Sequence, residues 1–162
     1  MDRIAVAIGL GSNLGHRTAH LQFARTRLAE GLAGMRVSSI HETDPVGVST
    51  PQPRFLNQAV VGETTRSPHE ILDWLLALER ARGRRRPFPG APRTLDLDLL
   101  LAGSQVMHGP DLTLPHARFR ERRFVLEPLA EIAPEMVDPV SGKTVRELLA
   151  ALVAQGSAVS GL

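Results

Sequence analysis

Apolar positions along the chain recur with two different spacings, and the switches between them mark out the elements. Residues 4–8 (Ile-Ala-Val-Ala-Ile) are a short apolar run that predicts a buried strand. Gly9, Gly11 and Gly15 then predict a loop. Residues 18–30 read as a helix, with Leu21, Ala24 and Leu28 on one face. Residues 36–43 look extended, residues 44–53 form a proline-rich loop, and residues 55–64 read as the next strand. The second helix is the best marked. Ser67, Pro68 and Glu70 make a capping box with proline at the first helical position. Ile71, Leu72, Leu75, Leu76 and Leu78 supply its core face, and Gly83 stops it. Residues 84–92 are a basic loop rich in proline and glycine, and residues 94–102 return to a strand.

Strand, helix, strand, strand, helix, strand is the order of an α+β fold with a ferredoxin-like βαββαβ core. Additional C-terminal strands and helices follow it. Short extended pieces are expected near residues 105–107 and 112–114, a helix from about Glu121, and a last helix from Thr144, where Glu147 completes a second capping box. The length of 162 residues suits one domain spanning residues 1–162, with a tail frayed from about residue 155.

Composition narrows the classes. The longest apolar runs fall far short of the roughly 20 residues a membrane span needs. The opening Met1-Asp2-Arg3-Ile4 lacks the apolar stretch of a secretory signal, so a cytoplasmic protein is expected. With no cysteine there is neither a disulfide nor a thiolate zinc site. The net charge is only +2, although the isoelectric point lies near 10.3. Lys143 is the only lysine and there is no tyrosine, so almost nothing titrates between histidine and arginine. The arginines are clustered, at Arg80, Arg82, Arg84, Arg85 and Arg86 and again at Arg118, Arg120, Arg122 and Arg123. Such clusters suit phosphate, because the guanidinium fork pairs with two oxygens at once; two solvated surface patches are the plain alternative.

Arg93-Thr94-Leu95-Asp96-Leu97-Asp98 is the strongest chemical signal. On a strand, Asp96 and Asp98 share one face at roughly 7 Å spacing, while Leu95, Leu97 and Leu99 point into the core. Two carboxylates so placed repel unless a cation lies between them, and they suit a pair of divalent ions for phosphoryl chemistry. An isolated pair of this kind is more often just the polar face of a half-exposed strand. Here it follows an arginine-rich loop, and metal carboxylates beside phosphate arginines are the parts that phosphoryl transfer needs. Leu114-Pro115-His116, followed by Arg118, Arg122 and Phe124, is a second candidate, in which His116 donates to a phosphate or a base or is simply a surface histidine. Phe55 and Asn57 share a strand face, where they either stack on and read a flat heterocycle or serve core packing. The glycines at 9, 11 and 15 imitate a dinucleotide fingerprint, but their spacing is one residue too long and no acidic residue stands about 20 positions on. No P-loop, zinc-protease helix or nucleophile elbow is present.

At these residues the chain resembles the 6-hydroxymethyl-7,8-dihydropterin pyrophosphokinases of folate synthesis, from about Ile4 to Leu149. Gly9 to Gly15 resembles the family's "GSNLG" opening and Phe55-Leu56-Asn57 its pterin strand. Ala91 to Asp98 resembles its highly specific "GPRTLDLD" signature, and Leu114-Pro115-His116 with Arg122 and Phe124 its C-terminal block. The resemblance implies that ATP, as co-substrate, gives its β,γ-pyrophosphoryl group to the hydroxymethyl oxygen of the pterin, leaving AMP. It implies two magnesium ions on Asp96 and Asp98, with Arg84, Arg93 and Asp98 in catalytic roles. Arg84, Arg86, Arg93, Leu99, Thr113, His116 and Arg122 would meet ATP; Thr43, Pro45, Val46, Phe55, Asn57 and Phe124 would meet the pterin. The loops at 44–53 and 84–92 would be lids that exclude water. A monomer that binds neither nucleic acid nor membrane is expected. Three features depart from the family: Gly90 and Ala91 stand where it often has a tryptophan, the basic loop is one residue shorter, and Ala117 replaces a common tyrosine.

Two rivals are a nucleic-acid-binding ferredoxin-like domain and a catalytically dead relative. The first should carry exposed aromatics on its central strands; the chain lacks such a motif, and an open acidic pair repels a phosphate backbone unless metal intervenes. The retained Asp96, Asp98, Arg93 and His116 argue against the second.

Overall fold

β1 (Ile4–Ser12) runs up the middle of a five-stranded antiparallel sheet, between β4 (Phe55–Thr64) and β5 (Asp96–Ala102). The computed structural model describes residues 2–45, 51–84 and 91–160. On the far side of β4 lie β2 (Ala33–Val37) and β3 (His41–Thr43), giving the order β2-β4-β1-β5 with β3 also on β4. With α1 (Arg17–Gly31) after β1 and α2 (Pro68–Ala81) after β4, this is the ferredoxin-like arrangement the element order predicts. The additions are a small β6 (Met107–His108) and β7 (Thr113–Leu114) pair, a 3-10 turn at Phe119–Glu121, α3 (Arg123–Ile132) and α4 (Val145–Ser160).

The predicted strand at 4–8 proves four residues longer. Gly9 and Gly11 are strand residues, not loop, because each is paired on both sides: Gly9 with Ala59 and Asp98, Gly11 with Asn57 and Asp96. The extended segment at 36–43 is split. Ser38 turns its hydroxyl inward to accept the Ala59 N–H at 2.9 Å, and its carbonyl accepts Gln58 Nε2 at 2.7 Å, so a side chain replaces part of the ladder between β2 and β3. The helix expected from about Glu121 begins at Arg123, after the 3-10 turn. The capping boxes at Ser67/Glu70 and Thr144/Glu147 are both formed. Past the point where fraying is predicted, α4 runs on to Ser160.

The sheet is covered on both faces, which is why Leu99 to Ala102 are all buried. Leu21, Ala24 and Leu28 of α1 and Ile71, Leu75 and Leu78 of α2 pack on Val6, Ile8, Leu10, Leu97 and Leu99. Leu76, expected in that face, is exposed: positions 71, 75 and 78 already point at the sheet, and 76 lies around the helix from them. On the other face α3 and α4 bring Leu126, Leu129, Val145 and Leu148 onto Ala7, Ala59, Val61 and Leu101.

α1 ends against α2 in a close contact. Arg66 donates to the Gly31 carbonyl at 3.0 Å and stacks 4.1 Å above Trp74. A Cβ on Gly31 would lie 2.6 Å from both Arg66 Nη1 and the Trp74 ring. Gly31→Ala is expected to lower stability by about 1–3 kcal/mol through overpacking, read as a fall in the thermal midpoint.

Candidate active site

The second face of the sheet has two halves. Ala7, Ala59 and Val61 lie under α3 and α4. Continuing along the same strands, alternation brings Gly9 and Gly11 of β1, Asn57 and Phe55 of β4, and Asp98 and Asp96 of β5 onto that face. They form two cross-strand rows, Ala59–Gly9–Asp98 and Asn57–Gly11–Asp96. The glycines put no side chain between the amide of Asn57 and the carboxylate of Asp96. What reads in sequence as a turn is thus a bare floor between two polar walls.

Leu95, Leu97 and Leu99 are buried, as alternation requires, and the side chains of Asp96 and Asp98 remain 23% and 33% exposed. Burial, reinforced by the Asp96 charge and only partly offset by Arg122 and Arg84, pushes the Asp98 carboxyl up to about 7. Such a carboxyl suits a hard cation, and two carboxylates completed by substrate phosphates are a common way to hold magnesium. The donors present therefore fit that metal. Because Asp98 must lose its proton to ligate, magnesium affinity should rise with pH and level off above about 7, weakening roughly tenfold per unit below it. Titration of magnesium-dependent turnover against pH checks this; a midpoint that does not move between about pH 5.5 and 8 would contradict it.

Arg84 is not spread over the open face, as its expected phosphate role suggests. Only 7% exposed, it donates through Nη1 to Asp96 Oδ1 at 2.6 Å and to Glu79 Oε2 at 2.7 Å. Glu79, buried at the end of α2, also accepts the Leu97 N–H at 2.7 Å. The sequence reading missed Glu79 because a charged residue in the last turn of a helix ordinarily faces water. Its carboxylate anchors both the strand between the two aspartates and the arginine beside them.

Arg93 stands on the other side of Asp96, with Nη1 3.9 Å from Oδ2 and its guanidinium 5.6 Å from the Phe55 ring. Asn13, also missed, holds it there. Fully buried after β1, Asn13 accepts the Arg93 N–H at 2.7 Å and donates its own N–H to the Arg93 carbonyl at 3.0 Å. Its side-chain amide also donates to Gln52 at 2.9 Å. One buried asparagine so ties together the ends of both candidate lid loops. Its place in the "GSNLG" segment was the available signal.

His116 closes the site opposite, its Nε2 3.8 Å from Asp98 Oδ1. Nδ1 accepts the Arg118 N–H at 3.2 Å, which puts the proton of the neutral ring on Nε2, facing Asp98. Burial first, and then the Arg122 charge, lower its pKa. Arg122 lies 5.6 Å from the Phe124 ring. Leu99 turns its side chain into the first core, like Leu97, so only its main chain is left to meet a nucleotide. Thr113 sits on β7, half-buried.

Asn57 Nδ2 donates to Thr43 Oγ1 at 2.7 Å and to the His41 carbonyl at 3.3 Å. Its Oδ1 lies over Gly11, 3.8 Å from where a Cβ there would stand. An acceptor thus faces the floor. Phe124 is the second residue of α3, whose Glu131 accepts from Ser39 Oγ at 2.6 Å just before β3 and pairs with His41 of β3 at 3.2 Å. Pro45 follows β3, half-buried. Val46 and Arg86 lie outside the described residues.

Comparison with known proteins gives a consistent result. The family model described as 7,8-dihydro-6-hydroxymethylpterin-pyrophosphokinase (HPPK) matches residues 7–134. A 2-amino-4-hydroxy-6-hydroxymethyldihydropteridine pyrophosphokinase of Synechocystis is 44% identical over 88% of this chain and 73% of its own length. The protein of the same name from Methylorubrum extorquens is also 44% identical, over 92% and 94%. A solved HPPK-DHPS in complex with substrates superposes with a TM-score of 0.74 at 14% identity, over 99% of this chain. A wild-type Plasmodium falciparum HPPK-DHPS gives 0.76 at 14%, over 98%. The chain spans 45% of the length of each of these two solved chains, and at that identity they show the fold.

Proposed function

The chain belongs to the 7,8-dihydro-6-hydroxymethylpterin-pyrophosphokinase family, and on that premise we propose that it transfers the β,γ-pyrophosphoryl group of ATP to the hydroxymethyl oxygen of 6-hydroxymethyl-7,8-dihydropterin, in folate synthesis. The bond from the β-phosphorus to the α,β-bridging oxygen breaks and AMP leaves, while the bond from the β-phosphorus to the pterin oxygen forms. The observation that carries the reading is the pairing of Asp96 and Asp98 on an open strand face flanked by Arg84, Arg93 and His116.

In this reading Asp96 and Asp98 hold two magnesium ions. Bound there, they would neutralise and orient the phosphate oxygens. Arg93 stabilises charge on the transferring group, and Arg84 does so after exchanging Asp96 for phosphate. His116 donates its Nε2 proton as a hydrogen bond to the nucleotide, and Arg122 pairs with a phosphate. Asn57 accepts from an N–H on the pterin edge, while Phe55 and Phe124 stack on its ring. Asp98 takes the hydroxyl proton as the alcohol attacks. An alcohol is a poor nucleophile, so positioning and charge neutralisation supply most of the acceleration.

Residues 1–162 act here as a single, monomeric, cytoplasmic pyrophosphokinase domain. Support for a monomer comes from the large exposed apolar side chains among the described residues, of which Leu14, Ile40, Val106 and Val140 lie in four different connections between elements. Among the described residues no helix is long and apolar enough to cross a membrane. The test is AMP formation from ATP with and without the pterin, in magnesium and in excess chelator. Pterin-dependent, chelator-sensitive AMP is the expected result; no turnover under any condition would overturn the reading.

A further inference from the structure

Three arginines follow His116 at alternate positions, Arg118, Arg120 and Arg122, and their spacing alone does not say which of them faces a ligand. Arg118 is exposed. Arg122 lies beside Phe124 and lowers the pKa of both Asp98 and His116, so its charge reaches the site. Arg120 is committed elsewhere. Its Nε and Nη2 donate to the two oxygens of Asp138 at 2.5 and 2.9 Å, and its guanidinium lies 4.9 Å from the Phe119 ring.

Asp138, in the connection between α3 and α4, has a side chain with no exposed surface. Besides the arginine fork it accepts the Val140 N–H at 3.0 Å and the Ser141 hydroxyl at 2.7 Å. These donors outweigh burial and hold its carboxyl down to about 2, so it is anionic throughout the working range. Its main chain braces the same turn, accepting Gly142 N–H and donating to the Lys143 carbonyl, both at 2.8 Å. Phe119, the neighbour of Arg120, is fully buried among Leu126, Leu129 and Val145. The 3-10 turn is therefore fastened at two consecutive residues, one apolar and one ionic. Three residues before Phe119 stands His116, and two and four residues after Arg120 stand Arg122 and Phe124.

We infer that Asp138 is a positioning residue: through Arg120 it fixes the turn that presents His116, Arg122 and Phe124 to the nucleotide and the pterin. This rests on the pyrophosphokinase reading. Asp138 touches none of the site residues itself, and it braces neither Asp96 nor Asp98, which stand on β5. Its loss should therefore act mainly on substrate binding, with both metal carboxylates kept in place on β5.

The experiment compares steady-state constants of the wild type, Asp138→Asn and Arg120→Lys well below their thermal midpoints, with Gly31→Ala as a destabilised control on the opposite face of the sheet. Asp138→Asn keeps the shape and removes the charge; Arg120→Lys keeps the charge, removes the fork, and serves if the first variant does not fold. For Asp138→Asn, kcat/KM for ATP and for the pterin should fall about 10- to 100-fold, the size of effect a small misplacement has, and mainly through KM, because the groups displaced are binding contacts. Arg120→Lys should fall in the same direction by less. At pH 8, where Asp98 is ionised, and at saturating substrate, the magnesium midpoint should stay close to the wild-type value, and Gly31→Ala should keep wild-type constants. Wild-type KM values in the folded variants, or equal losses in Gly31→Ala, would overturn the inference and leave the reading intact. An inactive wild type would overturn the reading and this inference with it.

Discussion

Asp96→Ala is expected to abolish turnover, by at least about a thousandfold, without unfolding the protein. A metal-clamped phosphate gains several kcal/mol of transition-state stabilisation, enough for a loss of that order when the ligand is removed. Asp96 also does a second thing. One of its oxygens takes Arg84 Nη1, and its charge is the second largest cause raising the Asp98 carboxyl. Alanine at 96 would leave Arg84 to Glu79 and let the Asp98 pKa drop. Because burial still raises the Asp98 carboxyl, the rise of any remaining magnesium affinity with pH should move to lower pH in this variant. The fold should survive, because the side chain is on the open face and the ladder bonds of β5 are main-chain bonds. Near-normal activity in a folded Asp96→Ala protein would remove the metal assignment.

Arg93→Ala should lower kcat by about 100- to 1,000-fold, the cost of removing one preorganised charged donor. The pterin KM should rise much less. The main chain at 93 is gripped on both sides by Asn13, so the substitution takes away the guanidinium and leaves the loop in place. At 5.6 Å from Phe55, the guanidinium adds only a modest amount to the stacking wall. A variant that keeps kcat and loses pterin affinity would instead make Arg93 a substrate-binding residue.

Where local chemistry decides the structure, the sequence was a good guide. The limits of β4 and the capping box of α2 depend on adjacent residues, and the placement of Asp96 and Asp98 follows from strand alternation alone. The surprises come from partners distant in the chain. Gly9 and Gly11 punctuate in isolation but are strand residues once β4 and β5 flank them. Ser38 breaks an extended segment because its hydroxyl meets Ala59. Arg84 looks like a solvated loop arginine until Glu79 and Asp96 draw it inward. Asn13 reaches Arg93 across 80 positions. Arg120 and Arg122, alike in sequence, are sorted by a buried aspartate on a later turn. Each of these is a tertiary contact that no local pattern encodes.

The most direct test of pyrophosphoryl transfer at this site uses ATP radiolabelled separately at its β- and γ-phosphates, with 6-hydroxymethyl-7,8-dihydropterin and magnesium. Both labels should pass to the pterin in equal amounts, leaving unlabelled AMP. Transfer of the γ-label alone, with the β-label retained in ADP, would contradict the account.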